Sequence, residues 1–345
     1  MSQSTLFTKP LILAGDVGGT KCTLGLFQEE ASLLRVVFCR RLVTRDYPTF
    51  HDLVFDFFRQ AEEMLHGPVA ERIGAAGFGA AGFGAAGALV DGCHLAVNLP
   101  WNLDAAALAR KLGLHQVVML NDLTATAFAL EKLPSEDLLM LNEGVPRPDA
   151  TKALIAAGTG LGEAVLFWDG RQHRIAPSEG GLADFAPRTD RELQLLQHLK
   201  QRLPYVSSED ILSGRGFRRI HEFLDPYIHH ASFEGAEADA ASEIAERAQA
   251  QSCAVCVETV DMWTNAYGVE AGNLALRTLA FGGVYVAGGI APKIVTKLKD
   301  GSFARSFCGE SKLAPELARI PIYVVLNPDA PLWGAAYHVL AARTS

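Results

Sequence analysis

The stretch Leu11-Ile12-Leu13-Ala14-Gly15-Asp16-Val17-Gly18-Gly19-Thr20 decides the reading of this chain: an apolar strand runs into a glycine turn, and Cys22 to Phe27 then alternates as a second strand. The same order returns further on. Ala153 to Ala157 is apolar, Gly158-Thr159-Gly160-Leu161-Gly162 is a turn, Ala164 to Trp168 is a strand and His173 to Ala176 another. This repeat predicts two α/β lobes, each opening with strand, glycine turn and strand, that face each other across a cleft.

Between and after these turns the periodicity fills in the rest. Leu33 to Val43 reads as a third strand, and Phe50, Leu53, Val54, Phe57, Phe58 and Met64 recur at helical spacing over Phe50 to Leu65. Pro100-Trp101-Asn102 opens a short helix ending at Gly113, and Val117 to Leu120 is a strand that ends at Asn121-Asp122, before a helix from Thr124 to Lys132. Helices follow around Glu192 to Gln201 and from Ala240 to about Trp263, and the strands Val284 to Ala287 and Ile322 to Leu326 complete the set.

With 345 residues the chain exceeds one typical domain. Hydrophobic residues at 49% and charged residues at 20% allow a large core and exclude a disordered chain. Against 39 Asp and Glu stand 31 Lys and Arg, a net charge of −8, whose sign opposes attraction to phosphate backbones or anionic lipid. Neither nucleic acid nor a membrane is expected as a partner. Cys22, Cys39, Cys93, Cys253, Cys256 and Cys308 are scattered rather than dense, and no secretory h-region opens the chain, so the expected location is the cytoplasm. Ile73 to Val90 is 18 residues without a charge, the lower edge of spanning length, but it is mostly Gly and Ala and reads as a buried strand with its turns.

Several segments carry chemistry. The first glycine turn can bring backbone N–H groups up to an anion, with Thr20 and Lys21 adding side-chain donors; a plain hairpin turn is the other reading. It is not a Walker loop, because Thr20 stands where that motif needs glycine. The run Gly77 to Gly87 contains the dinucleotide fingerprint twice, yet it continues into a hairpin-like segment rather than a helix, so a bulge or longer turn is expected there. Asn121-Asp122 at a strand's C-terminal end can supply a base or cap the next helix. Ser178-Glu179-Gly180-Gly181 and Val206-Ser207-Ser208-Glu209 each present a carboxylate suited to sugar hydroxyls, although Glu209 can equally serve a capping turn. In Gly282 to Ile290 a strand runs into Gly288-Gly289, a place for a nucleotide.

Taken in order, Leu13 to Thr20, Asn98-Leu99-Pro100-Trp101, Leu120-Asn121-Asp122, Ala157 to Gly162, Ser178 to Gly181 with Ala183 to Pro187, Ser208-Glu209 and Gly282 to Pro292 resemble the bacterial glucokinase family over essentially the whole chain. The resemblance implies an α/β, two-lobed actin-like ATPase (ribonuclease H-like) fold, its small domain formed by residues 1–132 plus about 327–345 and its large domain by 133–326. It implies ATP-dependent phosphorylation of a hexose at O6, with ATP and Mg²⁺ as cofactors, and relatives of this kind are often homodimers. Gly15, Asp16, Val17, Gly18, Gly19, Thr20 and Lys21, with Gly158, Thr159 and Gly160, would bracket the ATP phosphates, and Asp16 would hold Mg²⁺ through water. Asp122 would be the general base; Asn98, Asn121, Asp122, Glu179 and Glu209 would bind the sugar; Gly288 and Gly289 would lie beside the adenosine.

The chain departs from the family pattern at Leu182, where a sugar-binding His usually follows Glu-Gly-Gly. The expectation is a weak KM for glucose or a preference for another hexose. The phosphoryl donor, whether ATP, ADP or polyphosphate, stays open at this level. Cys253 and Cys256 form a C-x-x-C with no second pair, which reads as a buried helix face, and His229-His230 reads as solvated surface. A non-catalytic sugar sensor and a filament-forming ATPase are the competing readings. The first is disfavoured by the presumed base and by the ten or so residues before the first strand, the second by Glu179, Glu209 and Asn121-Asp122 together.

Overall fold

Every residue of β1 (Leu11–Val17) except Asp16 is buried, so the strand must be covered on both sides. Leu11, Leu13 and Val17 join one apolar cluster and Ile12 and Ala14 another, the two-residue alternation of a strand. The computed structural model describes residues 10–31, 33–80, 89–90, 93–94, 99–235 and 237–344. It divides into two units, Met1–Leu133 with Asp329–Ser345, and Pro134–Pro328.

In the first unit β2 (Lys21–Glu30) and β3 (Leu33–Val43) fold back antiparallel from β1, while β4 (Ile73–Ala80) and β8 (Val117–Asn121) lie parallel to it, giving the order β3-β2-β1-β4-β8. Helix α1 (Phe50–Leu65) has the predicted bounds. Thr49 caps it by accepting from the Asp52 N–H at 3.3 Å, and Phe50, Leu53, Val54, Phe57, Phe58 and Ala61 form its buried face. Met64, expected on that face, is exposed. Three two-residue strands, β5 (Leu89–Val90), β6 (Cys93–His94) and β7 (Leu103–Asp104), form a small separate sheet. Pairing of Leu103-Asp104 delays the next helix: α2 (Ala105–Leu112) starts later than Pro100, with Asp104 accepting from the Ala107 N–H at 2.8 Å, and closes at left-handed Gly113. The second face of the sheet is covered by α3 (Asp122–Ala129) and the C-terminal helix Ala330–Thr344. Strand β4 accounts for Gly77 to Ala80; the bulge or turn expected further along that glycine run lies outside the described residues.

In the second unit β9 (Leu138–Asn142), β10 (Lys152–Ala157), β11 (Leu161–Trp168) and β12 (His173–Ser178) join β13 (Gly283–Ala287) and β14 (Ile322–Val325) in the order β12-β11-β10-β13-β14-β9. Its helices include α4 (Asp190–Leu199), α5 (Gly214–Leu224), α6 (Glu237–Gln249) and α7 (Ala254–Thr278). Phe217, Trp263, Tyr267, Phe303 and Phe307 fill the core, and the Tyr267 hydroxyl donates to the Ile155 carbonyl at 3.2 Å. The single helix expected from Ala240 to Trp263 is two. α6 ends where Gln251 turns left-handed (φ 53°) and the Ser252 N–H donates back to the Arg247 carbonyl at 3.0 Å. Periodicity did not reveal this break because it falls between two strongly helical segments without Gly or Pro. Among the described residues no helix is long and apolar enough to cross a membrane.

Candidate active site

Strand register assembles the first-unit groups. Asp16 lies opposite Gly79 of β4, and Gly79 lies opposite Leu120 of β8, so Asp16 and Leu120 stand two strand spacings apart, about 10 Å. Asn121-Asp122 therefore emerges at the same sheet edge as the first glycine turn. Gly18 closes that turn by donating to the Lys21 carbonyl at 3.0 Å, and a side chain there would press on the same oxygen. Thr44 clamps it from β3's end: its hydroxyl donates to the Gly18 carbonyl at 2.7 Å and its N–H to the Thr20 carbonyl at 3.0 Å. Gly15 and Val17 are buried in β1, while Gly19, Thr20 and Lys21 are exposed. Burial, followed by the charge of Asp329, pushes the Asp16 carboxyl up to about 6, against the opposing pull of Arg41. Arg41 pairs with Asp329 at 3.2 Å.

At Asn121-Asp122 the two sequence readings turn out to be compatible. Asn121 caps α3, its Oδ1 accepting from the Leu123 and Thr124 N–H groups at 2.9 and 3.2 Å. Asp122 occupies the first helical position, half-buried, and its Oδ1 accepts from the Leu123 N–H at 2.8 Å. The cap leaves the Asn121 amide nitrogen as the end that can donate to a ligand hydroxyl.

The second unit builds its part from three sheet-end loops. Gly158 donates to the Gly160 carbonyl at 2.9 Å, and its own carbonyl accepts from the Gly214 N–H at the start of α5 at 2.8 Å. Thr159 is exposed at the tip. Because β13 runs parallel beside β10 with Ala287 opposite Ala156, Gly288 and Gly289 emerge next to this turn. Both are exposed, and Gly288 has φ 87° with the Ala157 carbonyl where a Cβ would stand, so only glycine fits.

Glu179 and Glu209 come together through backbone zippering. The Ser208 N–H donates to the Ala183 carbonyl and the Glu209 N–H to the Gly181 carbonyl, each at 2.8 Å. Glu209 is no helix cap, since α5 begins at Gly214. Its Oε2 instead accepts from the Leu161 N–H at 3.0 Å and its Oε1 from Arg215 at 3.1 Å. Glu179 is exposed at the loop's tip, and its carboxyl is raised by partial burial and then by the Glu209 charge. Leu182 is half-buried in the turn Gly180–Leu182 and offers no polar side-chain atom. Asn98 lies outside the described residues.

The sequence reading missed Thr44, Arg215 and Asp329, which support the turns and acids from distant positions. The expectation for His229-His230 and the C-x-x-C needs correction at one point. His230 is half-buried, not solvated, with Nε2 3.2 Å from Cys256 Sγ, and His221 joins it.

Comparison with known proteins bears on the whole chain. The family model described as Glucokinase matches residues 13–342. A glucokinase of Nostoc punctiforme is 35% identical, over 96% of this chain and 99% of the relative. The crystal structure of a glucokinase from an Antarctic psychrotroph superposes with a TM-score of 0.81 at 24% identity, covering 96% of this chain and 99% of that one. A ROK family glucokinase from Streptomyces griseus, solved in complex with glucose and AMPPNP, gives a TM-score of 0.60 at 22% identity over 97% of this chain and all of the other. The likeness to these structures is that of the actin-like ATPase fold.

Proposed function

From the premise that the chain belongs to the glucokinase family, whose reaction is the ATP-dependent phosphorylation of glucose, we propose how its residues divide the work. The observation that carries the assignment is the placement of Asp122, a carboxylate at the C-terminal end of a sheet strand, on the same edge as the Asp16 glycine turn.

Asp122 takes the proton from the sugar C6 hydroxyl as that oxygen bonds to the γ-phosphorus; the bond from phosphorus to the bridging β,γ-oxygen breaks and ADP departs. Its oxygen is oriented by the Leu123 N–H, so the base is held rather than free to rotate. Asn121 donates to a neighbouring hydroxyl in the first unit, and Glu179 and Glu209 accept hydroxyls in the second. The exposed turn residues Gly19, Thr20 and Lys21 of the Gly15–Lys21 segment and Thr159 of Gly158-Thr159-Gly160 suit phosphate oxygens, with Lys21 adding a cation. Gly288 and Gly289 offer a surface without side chains to the adenosine.

The donor set at Asp16 fits Mg²⁺, which takes hard oxygen ligands. Burial and the Asp329 charge make Asp16 costly to ionise, and a dication would relieve that cost. Asp16 would hold the ion through water, where it neutralises phosphate charge. The scattered free thiols described here, Cys22, Cys39, Cys253, Cys256 and Cys308, support a cytoplasmic location.

A coupled assay with ATP and Mg²⁺ over a panel of hexoses, run beside Asp122→Asn, tests this reading. Glucose is expected to turn over, and the variant to lose about 10²–10⁴-fold in kcat with a similar KM. An unchanged kcat in Asp122→Asn would remove the base assignment, and glucose binding without turnover in the parent would favour the sensor.

A further inference from the structure

The second unit gathers four groups that the phosphoryl transfer does not use. His221 comes from the end of α5, His230 from the loop after it, and Cys253 and Cys256 from the start of α7. One donor atom from each lies within 4.8 Å of all the others. We propose that these four side chains form a closed, tetrahedral site for a divalent ion of zinc's class, which pins α5 to α7.

The geometry is close to what such an ion requires. Zinc bonds of about 2.0–2.1 Å to nitrogen and 2.3 Å to sulfur place donors roughly 3.3–3.8 Å apart in a tetrahedron. His230 Nε2 and Cys256 Sγ stand 3.2 Å apart, and small side-chain rotations bring the remaining donors in. Spacing of three residues puts both thiols on one face of the first turn of α7, with Cys253 as its N-cap.

An independent observation points the same way. His221 is fully buried, and among the described residues neither Nδ1 nor Nε2 has a hydrogen-bond partner. A sealed imidazole usually finds a partner for at least one ring nitrogen. Its ring neighbours are His230 and Phe233, at 5.1 and 5.0 Å between centroids, so it is the cluster itself that it faces. A bound ion would give it that partner. Two thiolates cancel the ion's charge, and two neutral imidazoles complete the shell without leaving a net charge in the core.

The site has a structural consequence for the sugar loops. α5 begins at Gly214 and Arg215, which hold the Gly158 carbonyl and the Glu209 carboxylate, and His221 lies about 10 Å along the same helix. Fixing its far end fixes the near one.

The test uses the full chain without a histidine tag, reduced, stripped with chelator, and titrated with Co²⁺ and then Zn²⁺. The expected result is one equivalent of cobalt per chain, with the intense visible bands of a tetrahedral ion and thiolate-to-metal charge transfer, both displaced by zinc. Removing a ligand should cost more than the roughly 10–100-fold typical of outer-shell partners. Cys253→Ser, at a half-exposed position, should therefore bind at least about 100-fold more weakly, and zinc should raise the unfolding temperature of the parent but not of the variant. His230→Ala serves as the second variant if Cys253→Ser folds poorly. Folded parent that gives only weak octahedral spectra, binding unchanged in both variants, or a Cys253–Cys256 disulfide in a protein that binds no metal when reduced would overturn the proposal.

Discussion

The turn at Asp16–Thr20 and the turn at Gly158–Gly162 share one strand–turn–strand frame, but they are held and equipped differently. The first carries its own carboxylate, Asp16, and is clamped by Thr44 from the same three-stranded meander. The second has no acid; it is held by Gly214 of α5 and borrows Glu209, 48 residues away, on the Leu161 N–H. A motif that contains its own reactive group announces chemistry in the sequence. A motif that recruits the group from another segment announces only a turn.

The difference can be broken into kinetics. Asp16→Asn removes a charge from the first unit and should lower kcat/KM for ATP by about 10²–10³-fold, as expected for a group that stabilises transferring phosphate charge. Changes in the second unit should act on sugar affinity instead. Leu182→His restores a donor beside Glu179 and should lower the KM for glucose by roughly one to two decades, the worth of a charge-assisted hydrogen bond of about 1.5–3 kcal/mol. An unchanged KM would mean that another donor already serves that hydroxyl. Glu209→Gln keeps an acceptor for the Leu161 N–H but loses the charge facing Arg215, so KM should rise about tenfold with kcat nearly constant. A loss confined to kcat in Glu209→Gln would place it with the chemistry and dissolve the division between units.

The same contrast explains what the sequence made legible. The α1 face apart from Met64, the strand cores and Gly113 as a helix end follow from local rules, and they stand where those rules put them. The placement of Asp122 was readable because a strand end and a helix start meet there. Glu209 remained ambiguous because its partners, Leu161 and Arg215, are set by backbone zippering to Gly181 and Ala183 that no local pattern encodes. The break between α6 and α7 hides in a run of helix formers, where one left-handed residue decides. His221 and His230 escaped because a C-x-x-C needs partners in space, and these arrive from a helix and a loop lying 23 or more residues earlier in the chain.

Asp16 in the first unit and Glu163 in the second are acids that burial makes reluctant to ionise, and the smallest predicted effects separate them. Asp16 rises from 3.8 to about 6, and Glu163 from 4.5 to about 7. For Glu163 burial comes first and the Glu270 charge second, opposed by the charge of Arg277, which pairs with Glu270 at 3.0 Å. Both folded-state values lie above the unfolded ones, so the folded chain holds these protons more tightly and stability falls as pH rises through each window. For Asp16 the window runs from 3.8 to 6 and the whole shift is worth up to about 3 kcal/mol at pH 7.5. Asp16→Asn should therefore raise the unfolding temperature at pH 7.5 while it lowers activity, and Mg²⁺ with nucleotide should abolish that gain by favouring the ionised parent. Glu163 is sealed beneath Gly180 and should behave otherwise: Glu163→Gln should stabilise the chain at pH 8 with or without Mg²⁺ and nucleotide. Thermal unfolding of both variants from pH 5 to 8, with and without the metal–nucleotide pair, checks this directly. An equal response of the two acids to Mg²⁺ would mean that Asp16 is a buried structural acid like Glu163, not the holder of the ion.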